Sequence, residues 1–173
     1  PIIEDAADAF GSKYKGQVLG TFGKFGILSF NGNKMITTSG GGALICENDA
    51  AKQEIMFYAT QARENYPYYQ HEKIGYNYRM SNVCAGIGRG QMEVLEEHIA
   101  HHKHVHQLYQ KAFESVDGIS LPVNPNHDFD SNFWLSTILI DENKTGVNYE
   151  TLRVELDKKN IETRPLWKPL HLQ

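Results

Sequence analysis

Cysteine is scarce in this 173-residue sequence: only Cys46 and Cys84 occur, too few for a disulfide framework. Two scattered thiols suit a reducing compartment, and the cytoplasm is the expected location. Long hydrophobic runs are also missing. No apolar stretch approaches the roughly 18 residues that a spanning helix requires, so no membrane partner is expected. Nor is there a surplus of base. The 17 Lys and Arg stand against 21 Asp and Glu, a formal charge of −4, which leaves no electrostatic footprint for nucleic acid or an anionic bilayer surface. The one glycine run, Gly40-Gly41-Gly42, lacks the Gly-Lys-Ser/Thr of a P-loop and suits a tight backbone turn instead.

Short apolar segments separated by Gly-rich turns fill the first part. Strands are predicted at residues 1–4, 26–30 and 42–46, with a helix opening or turn at 6–10. A helix capped by Asp49 runs to about Tyr58, and residues 61–76, which include Tyr66-Pro67-Tyr68-Tyr69, read as a long loop. From 81 to 113 no proline occurs, and Ile87, Met92, Val94, Leu95, Ile99, Val105, Leu108, Tyr109 and Phe113 fall mostly at three- and four-residue steps. This predicts one long helix, bent where Gly86, Gly88 and Gly90 weaken its first turns. Beyond Gly118, strands are predicted at 119–123, 133–140 and 161–164, with an amphipathic helix at 149–159. The resulting division is a large-domain piece at 1–80, a connecting helix at 81–114 and a small α/β domain at 115–173.

Two polar sites stand at the ends of apolar segments: Glu4-Asp5 after the first predicted strand, and Lys34 shortly after the second. A lysine amine can form a Schiff base with an aldehyde, and a carboxylate can keep a pyridine nitrogen protonated so that the ring draws electrons. The pair therefore suggests a pyridoxal phosphate (PLP) site. By residue type alone, Asp5 also suits a turn and Lys34 a solvated loop. A metal reading attaches to His98, His101, His102, His104 and His106, since His98 with His102 and His102 with His106 have the i,i+4 spacing of two ligands on one helix face. No third ligand has obvious spacing. Glu96, Glu97 and Lys103 alongside describe a solvated helix face, so no metal is expected.

The flanking residues carry more. The stretches Pro1-Ile2-Ile3-Glu4-Asp5-Ala6-Ala7-Asp8-Ala9-Phe10-Gly11, Ser29-Phe30-Asn31-Gly32-Asn33-Lys34 and Met35-Ile36-Thr37-Thr38-Ser39-Gly40-Gly41-Gly42-Ala43-Leu44, followed by Gly75-Tyr76-Asn77-Tyr78-Arg79-Met80-Ser81-Asn82 and Arg164-Pro165-Leu166-Trp167, run in one order along the chain. Together they resemble the DegT-type sugar-nucleotide aminotransferases, which are α/β, PLP-dependent enzymes of fold type I. The resemblance covers the whole chain. It implies the C-terminal part of the large PLP-binding domain plus most of the small α/β domain, so a fragment is expected, without the front of the large domain and a short C-terminal piece.

By the same resemblance, Asp5 partners the pyridinium nitrogen, Ser29 donates to the cofactor phosphate, and Lys34 is the Schiff-base lysine and the general base and acid of the 1,3-proton shift. Asp8 departs from the family pattern, which places Gln, His or Glu beside the cofactor's 3-oxygen. It is retained as a cofactor-site candidate that is protonated, bridged by water or turned away. Asn77 and Arg79 are implied to serve the cofactor of the other subunit of a homodimer, Asn77 on its phosphate. Arg164, Trp167 and His171 are implied at the mouth of the site, toward a nucleotide-linked keto-sugar or the amino donor, glutamate. A PLP- or pyridoxamine-phosphate-dependent sugar dehydratase is the competing enzyme class, and Lys34 argues against it because those relatives carry His there. A truncated piece acting as a binding or oligomerisation module is the competing non-enzymatic reading.

Overall fold

The computed structural model describes residues 1–173, which form two compact units. The first comprises Pro1–His101 and Pro125–Trp134, and the second His102–Asn124 and Leu135–Gln173.

In the first unit the chain begins with β1 (Ile3–Asp5), then a run of turns through residues 6–12 where a helix opening or turn was expected. Next comes a hairpin of β2 (Lys13–Tyr14) and β3 (Gln17–Val18). Its two loop residues, Lys15 and Gly16, both have positive φ (49° and 79°), the requirement of a type I′ turn. Nothing in the apolar pattern announced this hairpin. β4 (Phe25–Ser29) pairs parallel to β1, and β5 (Gly42–Cys46) pairs antiparallel to β4, giving the order β1-β4-β5.

The loop before β4 is seated by Glu4. Its carboxylate accepts the backbone N–H of Gly20 at 2.8 Å, and those of Phe22 and Gly23. Those bonds hold the Glu4 carboxyl below its ordinary range, the Gly23 bond contributing most, partly opposed by desolvation. Gly26 makes the seating possible, because a Cβ there would run into the Gly20 carbonyl.

α1 (Asp49–Ala59) is capped by Asn48, whose side chain accepts from Ala51 N at 3.0 Å, one residue before the expected cap at Asp49. Residues 60–78 are tied back onto it. Gln61 N donates to Tyr76 O, Tyr76 N to Tyr58 O and Tyr78 N to Ala59 O, and the rings of Tyr66/Tyr68 and Tyr76/Tyr78 stack at 5.3 and 4.9 Å.

The single long helix expected over 81–113 is two helices, α2 (Asn82–Glu93) and α3 (Leu95–Phe113). The break falls at Val94 (φ −112°, ψ 10°) and not at the glycines. Packing outweighs helix propensity here: with the axis reset at Val94, Leu95 and Ile99 close on Met35 and Trp134 as a core cluster.

In the second unit, β6 (Ile119–Ser120) follows α3. The chain then returns to the first unit, where β7 (Phe129–Asp130) pairs antiparallel to β2 and the Tyr14 and Phe129 rings meet at 4.9 Å. Back in the second unit, β8 (Leu139–Ile140) pairs antiparallel to β6, followed by α4 (Glu142–Thr145) and α5 (Tyr149–Asp157). The strands expected here are mostly overturned. The β6 ladder ends at Ser120, ahead of Pro122, which has no N–H to give, and only the last two residues of 133–140 form strand. At 161–164 no strand forms: Ile161 N instead caps α5 through Leu156 O.

Candidate active site

β1 and β4 run parallel as neighbours and end at Asp5 and Ser29. The carboxyl ends of adjacent parallel strands are where open α/β sheets place ligands. Asp5 is exposed, and its Oδ1 accepts from Ala7 N at 3.2 Å, an Asx turn that leaves the other carboxylate oxygen available. Ser29 is half-buried, opposite Gly42.

Lys34 stands on a turn just past β4, with Lys34 N bonded to Asn31 O at 3.1 Å. The residues after it are immobilised: Met35, Ile36 and Thr38 are buried, Thr37 N donates to Gln91 Oε1 at 3.2 Å, and His98 Nδ1 lies 3.2 Å from Met35 O. The Lys34 side chain is only 16% exposed, while its carboxylate partner, Asp8, is 52% exposed. On its other side the Lys34 Nζ lies 4.5 Å from the centre of the Trp134 ring.

Trp134 and Asn132 were not foreseen from the sequence. Trp134 Nε1 donates to Asn33 O at 2.6 Å, so the indole is tied to the residue beside Lys34. Asn132, 3% exposed, donates from Nδ2 to Asp8 O and Phe10 O, both at 3.0 Å, and its Oδ1 accepts from Trp134 N at 2.9 Å. Between them Phe133 is held at φ 46°, a conformation that costs a bulky side chain about 1–3 kcal/mol. The hint in the sequence was a lone Asn before two aromatics, in a segment whose apolar character suggested a strand.

Asn77 makes a backbone bridge with Thr60, and Arg79 is exposed on the segment that follows. In the second unit, Arg164 forks onto Glu162 at 2.8 and 2.5 Å, Trp167 is 67% exposed, and His171 lies in the 3-10 turn Leu170–Leu172. In the histidine stretch, burial pushes His106 below its ordinary range, and His98 is engaged with Met35 O.

A primary amine shielded from water, gripped between a carboxylate and an indole and set past the end of a parallel strand whose neighbour ends in an acid, is equipped for covalent chemistry on a carbonyl group. The donor set fits an aromatic aldehyde cofactor. Solved structures share the fold: the aminotransferase TlmJ from Streptoalloteichus hindustanus superposes with a TM-score of 0.90 at 23% identity over 99% of this chain and 46% of that one. Helicobacter pylori PseC, an aminotransferase involved in the biosynthesis of pseudoaminic acid, does so with 0.87 at 20% identity over 98% and 46%. The architecture is that of PLP-dependent transferases of fold type I. The model of the DegT/DnrJ/EryC1/StrS aminotransferase family matches residues 1–173, and the chain belongs to that family.

Among curated relatives, EpsN of Bacillus subtilis (strain 168), whose name assigns it provisionally to the pyridoxal phosphate-dependent aminotransferases, is 47% identical over 100% of this chain and 44% of its own length. GDP-perosamine synthase of Escherichia coli O157:H7 is 38% identical over 98% and 45%. The chain thus spans less than half the length of these relatives.

Proposed function

We propose that the protein is a PLP-dependent aminotransferase that moves an amino group from glutamate to the ketone of a nucleotide-linked sugar, working in the cytoplasm as a homodimer. The observation that carries this reading is the shielded Lys34 amine between Asp8 and Trp134 past the end of β4. Relatives named for perosamine synthesis and for a UDP-amino-sugar transaminase supply the substrate class.

PLP, when bound, supplies an aldehyde carbon and a ring that draws electrons. Asp5 keeps a proton on the ring nitrogen through its free carboxylate oxygen, and the Ser29 hydroxyl donates to the phosphate. Lys34 would hold the cofactor through Nζ and, when free of it, would carry at Nζ the proton that the amino transfer has to move. Met35, Ile36 and Thr38, buried behind it, fix the backbone from which the amine reaches. Asn77 and Arg79 serve the site of the second subunit, where paired donors suit phosphate oxygens. Arg164, Trp167 and His171 hold the sugar nucleotide or the amino donor.

The test is borohydride reduction of the full-length protein after incubation with PLP, followed by peptide mapping. The adduct is expected on the Lys34 peptide and is lost in Lys34→Ala. An adduct on Lys24, or none, refutes the assignment.

A further inference from the structure

Lysine is a poor residue to leave unattached. Its four-carbon stem has wide rotamer freedom, yet transamination requires that the amine leave the cofactor and return to it once in each cycle. The structure holds features that answer this need, all within the first unit. An indole face attracts an ammonium, and not a neutral amine, through its quadrupole, so it holds the protonated nitrogen in place without a directional bond. A carboxylate does the opposite, accepting the proton through a directional bond. Lys34 Nζ has one of each: the Trp134 ring at 4.5 Å and the Asp8 carboxylate.

The two walls are also joined to one another. Asn132 grips the backbone on the Asp8 side through Asp8 O and Phe10 O, and the Trp134 side through Trp134 N. Trp134 is fixed to the backbone of Asn33, immediately before Lys34, by its ring N–H. Phe133, at φ 46°, stands between Asn132 and Trp134, the two residues that make these bonds. A buried indole N–H takes an acceptor somewhere, and here the acceptor is the backbone of the residue next to Lys34.

We propose that Asn132–Trp134 is a positioning clamp for Lys34, in which the Trp134 face retains the detached Lys34 nitrogen beside the reacting atoms once it has taken up a proton, and the Asp8 carboxylate accepts a hydrogen bond from it. This rests on the reading of Lys34 as the cofactor-bearing lysine. It assigns Trp134, Asn132 and Asp8 as positioning residues that act through Lys34.

The clamp is tested on the cofactor-free full-length protein by reductive methylation with formaldehyde and cyanoborohydride, the rate at each lysine being followed by peptide mass spectrometry at neutral pH. This reaction needs the neutral amine. Trp134→Leu, which removes the π face, should speed labelling of Lys34 by about threefold or more, with Lys24 and Lys52 unchanged. Trp134→Phe, which keeps a π face, should remain close to the wild type. In steady-state assays, Trp134→Leu should lower kcat more than it raises KM, and Trp134→Phe should restore most of the loss. Asp8→Asn, at a half-exposed position that will fold whatever becomes of Trp134→Leu, should also speed Lys34 labelling.

Unchanged Lys34 labelling in Trp134→Leu or Asp8→Asn would overturn the clamp, as would equal behaviour of Trp134→Leu and Trp134→Phe. Because labelling is read without cofactor, failure here is distinct from failure of the borohydride-PLP mapping, which bears on Lys34 as the cofactor lysine.

Discussion

Replacing Asn132 separates hydrogen bonding from shape. The side chain is buried, with both Nδ2 hydrogens donated and Oδ1 accepting, at 2.9–3.0 Å. Asn132→Ala removes these bonds and leaves Asp8 O, Phe10 O and Trp134 N without their partner. At about 1 kcal/mol net for each bond, the loss is about 3 kcal/mol. Asn132→Asp keeps the shape and the acceptor toward Trp134 N, but turns a carboxylate oxygen toward two carbonyl oxygens.

At neutral pH that variant should be at least as unstable as the alanine variant. Because its ionised form is disfavoured in the fold, the introduced carboxyl has a folded pKa above its unfolded value of about 3.9. Between the two values the native state binds more protons than the unfolded state, so stability falls as pH rises through that window and levels off above it. Urea unfolding of the full-length protein at a series of pH values gives both numbers. A cost below about 1 kcal/mol for Asn132→Ala, or an Asn132→Asp deficit that does not shrink on acidification, would refute the reasoning.

Glu4 should show the opposite pH response. Its folded pKa is depressed, so its contribution is present above the unfolded carboxylate range and lost as pH falls through the folded value; the melting-temperature gap between wild type and Glu4→Gln, measured from pH 7 to pH 3, should narrow on acidification. Gly26→Ala places a methyl against the Gly20 backbone, which cannot swing aside as a side chain can. It should cost about 3 kcal/mol, whereas Gly32→Ala, with nothing within 4 Å, should stay within about 0.5 kcal/mol of the wild type by urea unfolding. If Arg79 serves the other subunit, mixing Lys34→Ala and Arg79→Ala homodimers under verified subunit exchange should restore part of the activity, since a mixed dimer holds one site with both residues. No recovery would place Arg79 in its own chain's site or in a structural role.

The central sheet was legible because β4 and β5 are short apolar runs bounded by glycine, and because Asp5 and Lys34 follow apolar segments as polar residues at strand ends do. The start of α1 was read one residue late because Asn48 and Asp49 are both good caps, and only geometry selects between them. Other features depend on contacts far apart in the chain. The β2–β3 hairpin has two-residue strands, too short for an alternating pattern to register. Trp134 sits in an apolar segment that suits a strand, but burial against Met35 and Ile99 and the bond to Asn33 draw it into the first unit. The break at Val94 is another tertiary effect, since no residue there has a strong local reason to end a helix.

The bond from Trp134 to Asn33 joins residues 101 positions apart in the chain. At ribosomal speeds of about 5–20 residues per second, roughly 5–20 s separate the synthesis of Lys34 from that of the indole that covers it. The partner strand of β2 is made in the same late interval. The amine is therefore born bare and becomes sheltered only when a distant stretch of chain arrives, so the order of synthesis sets when Lys34 stops being an ordinary solvent-facing lysine, open to any passing aldehyde.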